Sequence, residues 1–133
     1  MARSSEADRA ATNAGGAPWS AHAMKLPFRE HVFVPAAKLV DYLLSPSHPV
    51  GKSKAQFFAA FGFDAANVAD LERQLIMIAQ TEDLYKAISS PYGEKYVVQG
   101  ILQAADGRQA IIETVWIIEP NEDRPRFVTA YPA

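Results

Sequence analysis

The feature that most constrains this chain is a change of hydrophobic period near residue 82. Before it, apolar residues recur every three or four positions, as on one face of an α-helix. After it they alternate, as on a half-buried β-strand. Val68, Leu71, Leu75 and Ile78 step by three and four with Glu72, Arg73 and Gln74 facing away, which predicts an amphipathic helix over about 67–80, capped by Asn67 or Asp64. Phe57, Phe58 and Phe61 mark the buried side of another helix over about 52–61, ended by Gly62. Leu39, Val40, Leu43 and Leu44 predict a third over about 36–44, opened by Pro35 and preceded by a short extended segment, His31 to Val34.

The second half reads as hairpins. Leu84 to Ser89 is a weak strand candidate before a turn at Ser90-Pro91-Tyr92-Gly93. Lys95 to Gln103 alternates, and Asp106-Gly107 is a hairpin signal. Gln109 to Glu119 is apolar on both faces around Thr114 and Trp116, which predicts a central strand covered on both sides. After a charged loop, Arg126 to Tyr131 closes the chain as a last strand. Helices followed by hairpin-linked strands predict an α+β domain. About three N-terminal helices would pack on one face of a roughly four-stranded antiparallel meander.

A length of 133 residues suits one such domain. Residues 1–23 are rich in Ala, Ser and Gly, and Trp19 is their one aromatic. They bury too little to offset ordering entropy and are expected to form a mobile tail, or a segment that docks on a partner through Trp19. Residues 24–133 then form the domain. The formal net charge is −2, whereas a protein that holds long nucleic acid non-specifically usually carries a basic face. A compact site with a few Lys and Arg stays open. With no cysteine, thiol catalysis, disulfides and Cys-based metal sites are excluded. His22, His31 and His48 lie too far apart for a paired metal motif, so no metal or other cofactor is expected. No apolar run reaches the ~20 residues that span a bilayer, and the first residues lack a secretory apolar stretch. The expectation is a cytoplasmic protein with no membrane partner.

Two segments carry candidate chemistry. His48, Lys52 and Lys54 gather at a helix start, whose free N–H groups and partial positive charge favour anions. Gly51-Lys52-Ser53 is not a P-loop, since Pro46 stands where that motif needs its first glycine. The bland reading is a locally packed His48 beside solvated lysines. In the last strand, strict alternation puts Thr129 and Tyr131 on one face with Phe127, and Arg126 on the other with Val128 and Ala130. Arg126 would join Thr129 and Tyr131 only at a twisted strand end. The bland reading buries the Tyr131 ring against the helices and assigns Thr129 to strand propensity. Glu113, mid-strand, needs a partner if buried, and Arg126 is the expected one.

The segments HVFVPAAKLVDYLL, SPSHPVGKSKAQFFAAFGF, SSPYGEKYVVQGILQ, ADGRQAIIETVWIIE and DRPRFVTAYP resemble a family of small bacterial domains of unknown function, over about 110 residues from Met24. Its members occur alone or as C-terminal modules of larger secreted toxin-like proteins. The order of elements and the VTAYP ending also look similar to the barnase/EndoU/colicin/RelE group of small ribonucleases. That resemblance implies metal-independent attack of an RNA 2′-hydroxyl on its own phosphate. His48 would then be a general base or acid, Lys52 or Lys54 the phosphate clamp, and Arg126 and Tyr131 a second cation and proton donor, with Thr129 beside them. The partners implied are an RNA substrate and a small antitoxin or immunity-type protein. The alternative is a non-catalytic module that binds such a partner, as the antitoxin or adaptor half of a two-gene system. A third class, small-anion binding at the His48–Lys54 helix start, also stays open. The sequence leaves the oligomeric state undetermined.

Overall fold

The computed structural model describes residues 24–39 and 52–133. The expected tail over 1–23, the loop over 45–51 with His48, and the later part of the helix expected over 36–44 lie outside them. Of that helix the described part is α1, Ala36–Lys38, whose following residue Leu39 is buried. The long helical elements are α2, Lys52–Ala60, and α3, Val68–Thr81. Helix therefore sits largely in the middle of the chain, not as three clear N-terminal helices. The extended expectation for His31 to Val34 holds in part. Arg29–His31 is a 3-10 turn, and Phe33 alone makes a bridge, parallel to Arg126.

Asp64 is the residue that caps the approach to α3. Its carboxylate accepts from Ala66 N at 2.8 Å, and the Asn67 side chain accepts from Asp64 N at 2.9 Å. This reciprocal box satisfies two backbone donors that a helix start leaves open. On α3, Leu71, Leu75, Ile78 and Ala79 are buried, the face the periodicity marks.

Four strands follow: β1 (Leu84–Ser90), β2 (Gly93–Gln103), β3 (Gln109–Ile118) and β4 (Arg126–Pro132). They form an antiparallel meander in the order β1-β2-β3-β4, so β3 is interior and β4 is an edge. The chain before α1 ties the two edges together. Leu84 N donates to Met24 O at 2.7 Å beside β1, while Phe33 N donates to Pro125 O at 3.1 Å beside β4. Between those anchors Leu26 is fully buried.

The helices cover one face of the sheet. Phe58, Leu71, Leu75 and Ile78 share a core with Val98, Leu102, Ile112, Trp116, Phe127 and Ala130. Trp116 and Phe127 face each other across β3 and β4, edge to face with ring centroids 5.3 Å apart. Thr114 is buried without penalty because it is satisfied twice. It donates to Val98 O and accepts from the Trp116 indole N–H, both at 2.8 Å.

Gly100 lets α3 lie close on β2, since an added Cβ would stand 2.6 Å from Ile78 Cγ1. Gly100→Ala is expected to cost about 1–3 kcal/mol of stability by overpacking, read as a lower urea midpoint with an unchanged slope.

Candidate functional site

Opposite residues of an antiparallel pair share a face, so the register defines what lies on the side away from the helices. One row runs Gln99–Glu113–Tyr131 across β2, β3 and β4. The next runs Lys86–Val97–Val115–Thr129, and a third runs Ile88–Lys95–Ile117–Arg126. Val97, Val115 and Ile117 make a buried strip on this face, yet none belongs to the core cluster under the helices. Exposed Ile88, Ile101 and Ile111 stand on the same side. Among the described residues, no helix packs here.

Arg126, Thr129 and Tyr131 share this face because the pairing slips between Val115 and Trp116. Val115 faces Thr129, but Trp116 faces Phe127, so Val128 is an extra residue, a β-bulge. Strict alternation separates Arg126 from Thr129 and Tyr131; the bulge reverses the phase and unites them. Arg126 and Tyr131 lie across from positions four residues apart on β3, a separation of about 13 Å.

Each of the three has a distinct environment. The Arg126 guanidinium lies 3.5 Å from the Glu119 carboxylate, not against Glu113 as the sequence suggested. The β3 residues facing Arg126 and Tyr131 are four positions apart, which is why Glu113 finds other company. Gln99 Nε2 donates to Glu113 Oε2 at 3.0 Å, and Tyr131 faces it from β4. Burial, then hydrogen bonding and the negative charge of Glu113, hold the Tyr131 phenol above its usual pKa. The Thr129 hydroxyl oxygen is shielded and has no hydrogen-bond partner.

Lys54 lies on α2, half-buried, in the layer that covers the opposite face. Lys52 begins the same helix, and its side chain, like all of His48, lies outside the described residues. Because α2 packs along β4, its layer meets the open face at that sheet edge. Lys54 and the β4 residues are thus on different layers beside one edge. Sequence reading set Glu113 beside Arg126 instead of Tyr131, and missed Gln99, Lys86 and Lys95 as neighbours of the β4 residues on this face. The Asp106-Gly107 hairpin, which sets the β2–β3 register, is the signal that pairs Gln99 with Glu113.

Tyr96 is also raised, by burial and then by the charge of Glu94. A raised phenol contributes stability that is complete below the unfolded value of about 10 and is lost as pH rises through the folded value. The urea midpoint is expected to hold up to about pH 9.5 and fall above it. Tyr131→Phe and Tyr96→Phe should each flatten that alkaline fall.

Among the described residues no helix is long and apolar enough to cross a membrane, and no group of three His, Asp or Glu side chains could hold a metal ion. The chain is 17% identical to a chain of a contact-dependent growth inhibition toxin–immunity protein complex from Klebsiella pneumoniae 342, with a TM-score of 0.60. The match covers 75% of this chain and 98% of that one, and at that identity the likeness is one of fold. No curated protein matches. Residues 25–133 match the model of a family described as a domain of unknown function, DUF6883. By that match, which takes in both helices and the whole sheet, the chain belongs to the DUF6883 family.

Proposed function

We propose that this domain is the toxin half of a toxin–immunity pair, and that its open sheet face binds and cleaves RNA without a metal. The observation that carries this reading is the bulge at Val128. Through it a cation (Arg126), a hydroxyl without a partner (Thr129) and a phenol (Tyr131) share one face with Glu113 and Lys95. Cleavage by an internal 2′-hydroxyl needs proton acceptance, proton donation and positive charge near the phosphate, and these residue types supply all three. The solved fold neighbour comes from a toxin–immunity complex, which favours the same class of role. In this reading His48 acts as general acid or base, and Lys52 and Lys54 hold phosphates of an RNA strand that crosses the β4 edge. An immunity-type protein would be the controlling partner.

The test is induced expression of the full chain beside Arg126→Ala, Tyr131→Phe and His48→Ala, with total RNA followed on gels. Growth arrest with discrete RNA cuts, abolished in folded variants, supports the toxin. Intact RNA with unimpaired growth rejects it.

A second reading has its own support. The exposed Ile88, Ile101 and Ile111 on the same face and the net charge of −2 suit a non-catalytic module that docks a protein, the immunity or adaptor half of such a pair. It predicts capture of a small protein partner with no change in RNA.

A further inference from the structure

The Gln99–Glu113–Tyr131 row holds an arrangement to which the proposed cleavage assigns no proton path. Glu113 sits at its centre on interior strand β3, with Gln99 on one side and Tyr131 on the other. Gln99 Nε2 spends a donor on one carboxylate oxygen, Oε2, at 3.0 Å. A carboxylate has two oxygens and about four lone-pair sites, so this bond orients Glu113 while leaving it able to accept from the phenol that faces it. Arg126 is engaged by Glu119 and stands at the far row. Among the described residues the other charges on this face are Lys86, on the Thr129 row, and Lys95, on the Arg126 row, and none of these cations shares the row of Glu113 and Tyr131.

The geometry points to a proton relay in which Tyr131 passes its phenolic proton to Glu113, with Gln99 fixing the carboxylate that receives it. This rests on the ribonuclease reading and adds two residues to it. It also puts Tyr131 on the accepting side of the reaction, whereas the sequence resemblance suggested a donor. As the RNA 2′-oxygen bonds to phosphorus, its proton moves to the Tyr131 oxygen and the phenolic proton moves to Glu113. The P–O5′ bond breaks, and the departing O5′ takes a proton delivered through water. Glu113 later returns its proton to solvent, so the products are a 2′,3′-cyclic phosphate and a 5′-hydroxyl with no net gain or loss of protons. Glu113 acts through Tyr131 and is a positioning residue. The raised phenol, caused in part by Glu113, agrees with a tyrosine that holds its proton until substrate presents another.

The experiment pairs Glu113→Gln with Gln99→Ala in the full chain and uses two readouts. The first is the ultraviolet titration of the Tyr131 phenol, isolated by subtracting the Tyr131→Phe spectrum. Glu113→Gln should move that titration to lower pH, because burial remains but the negative neighbour is gone. The second is RNA cleavage against pH. Glu113→Gln should lower kcat by about 10²-fold with KM within about twofold. Gln99→Ala, which keeps the carboxylate but frees it to turn, should lower kcat less and leave the Tyr131 titration raised. If Glu113→Gln fails to fold, Gln99→Ala carries the test, and wild-type kcat in that variant overturns the relay. A Tyr131 titration unmoved by Glu113→Gln, or cleavage at the wild-type rate, overturns the relay and leaves the ribonuclease reading standing. A wild type that cuts no RNA overturns both, and the phenol titration then reports the Glu113–Tyr131 contact as structural alone.

Discussion

Tyr131→Phe is expected to lower RNA cleavage by about 10²–10⁴-fold, the range for losing a positioned proton-transfer group, while the domain stays folded. The substitution removes one oxygen at a half-buried position near the end of β4, so the backbone pairing with β3 has no reason to change. Tyr92→Phe is the matched control. It makes the same chemical change at a fully solvated turn, where the side chain is 77% exposed, and cleavage should be unaltered. Growth of cells expressing each variant reports the same contrast without purified substrate. Equal loss in both variants would argue for a general effect of tyrosine removal, and equal activity in both would take Tyr131 out of the reaction.

Trp116→Ala carries the largest expected loss of stability, about 3–5 kcal/mol, against the ~5–15 kcal/mol that separates folded from unfolded domains. Two costs combine. Trp116 is fully buried between the helices and β4, so truncation opens a cavity and removes the edge-to-face contact with Phe127. The indole N–H also engages Thr114, whose hydroxyl in turn engages Val98 O, so the variant strips a partner from a buried hydroxyl. Urea unfolding followed by far-ultraviolet circular dichroism should show a midpoint lowered by more than about 1 M. Trp116→Phe keeps an apolar ring and should show a smaller drop.

The core depends on period, and period is written locally. Leu71, Leu75 and Ile78 on α3, and Val98, Leu102, Ile112 and Trp116 on the strands, are where the alternation of apolar residues puts them. Asp106-Gly107 likewise makes the hairpin it signals: Arg108 N donates to the Asp106 side chain at 3.0 Å, and Gly107 takes a positive φ of 95°. These features need only the steric preferences of a few neighbouring residues. The extended reading of His31–Val34 holds at Phe33, which bridges the start of β4 over ninety positions away, and fails at His31, which closes a 3-10 turn.

The candidate face was less legible. Thr129 and Tyr131 could be placed together from alternation, but Arg126 was put on the wrong side because a bulge adds one residue without any mark in composition. Val128 is β-branched and apolar, an ordinary strand residue, and nothing in it announces a slip. Glu113 was recognised as needing a partner, yet the partner followed from register and not from charge. Gln99 and Tyr131 lie across from it, and Arg126 lies four positions along β3.

The α+β class, the meander order and the buried side of α3 could be read from the residues alone, because each follows from spacing within a dozen positions. Which polar side chains meet on the open face became clear from strand pairing. That choice depends on inter-strand register, and one extra residue in β4 changes the face of everything before it.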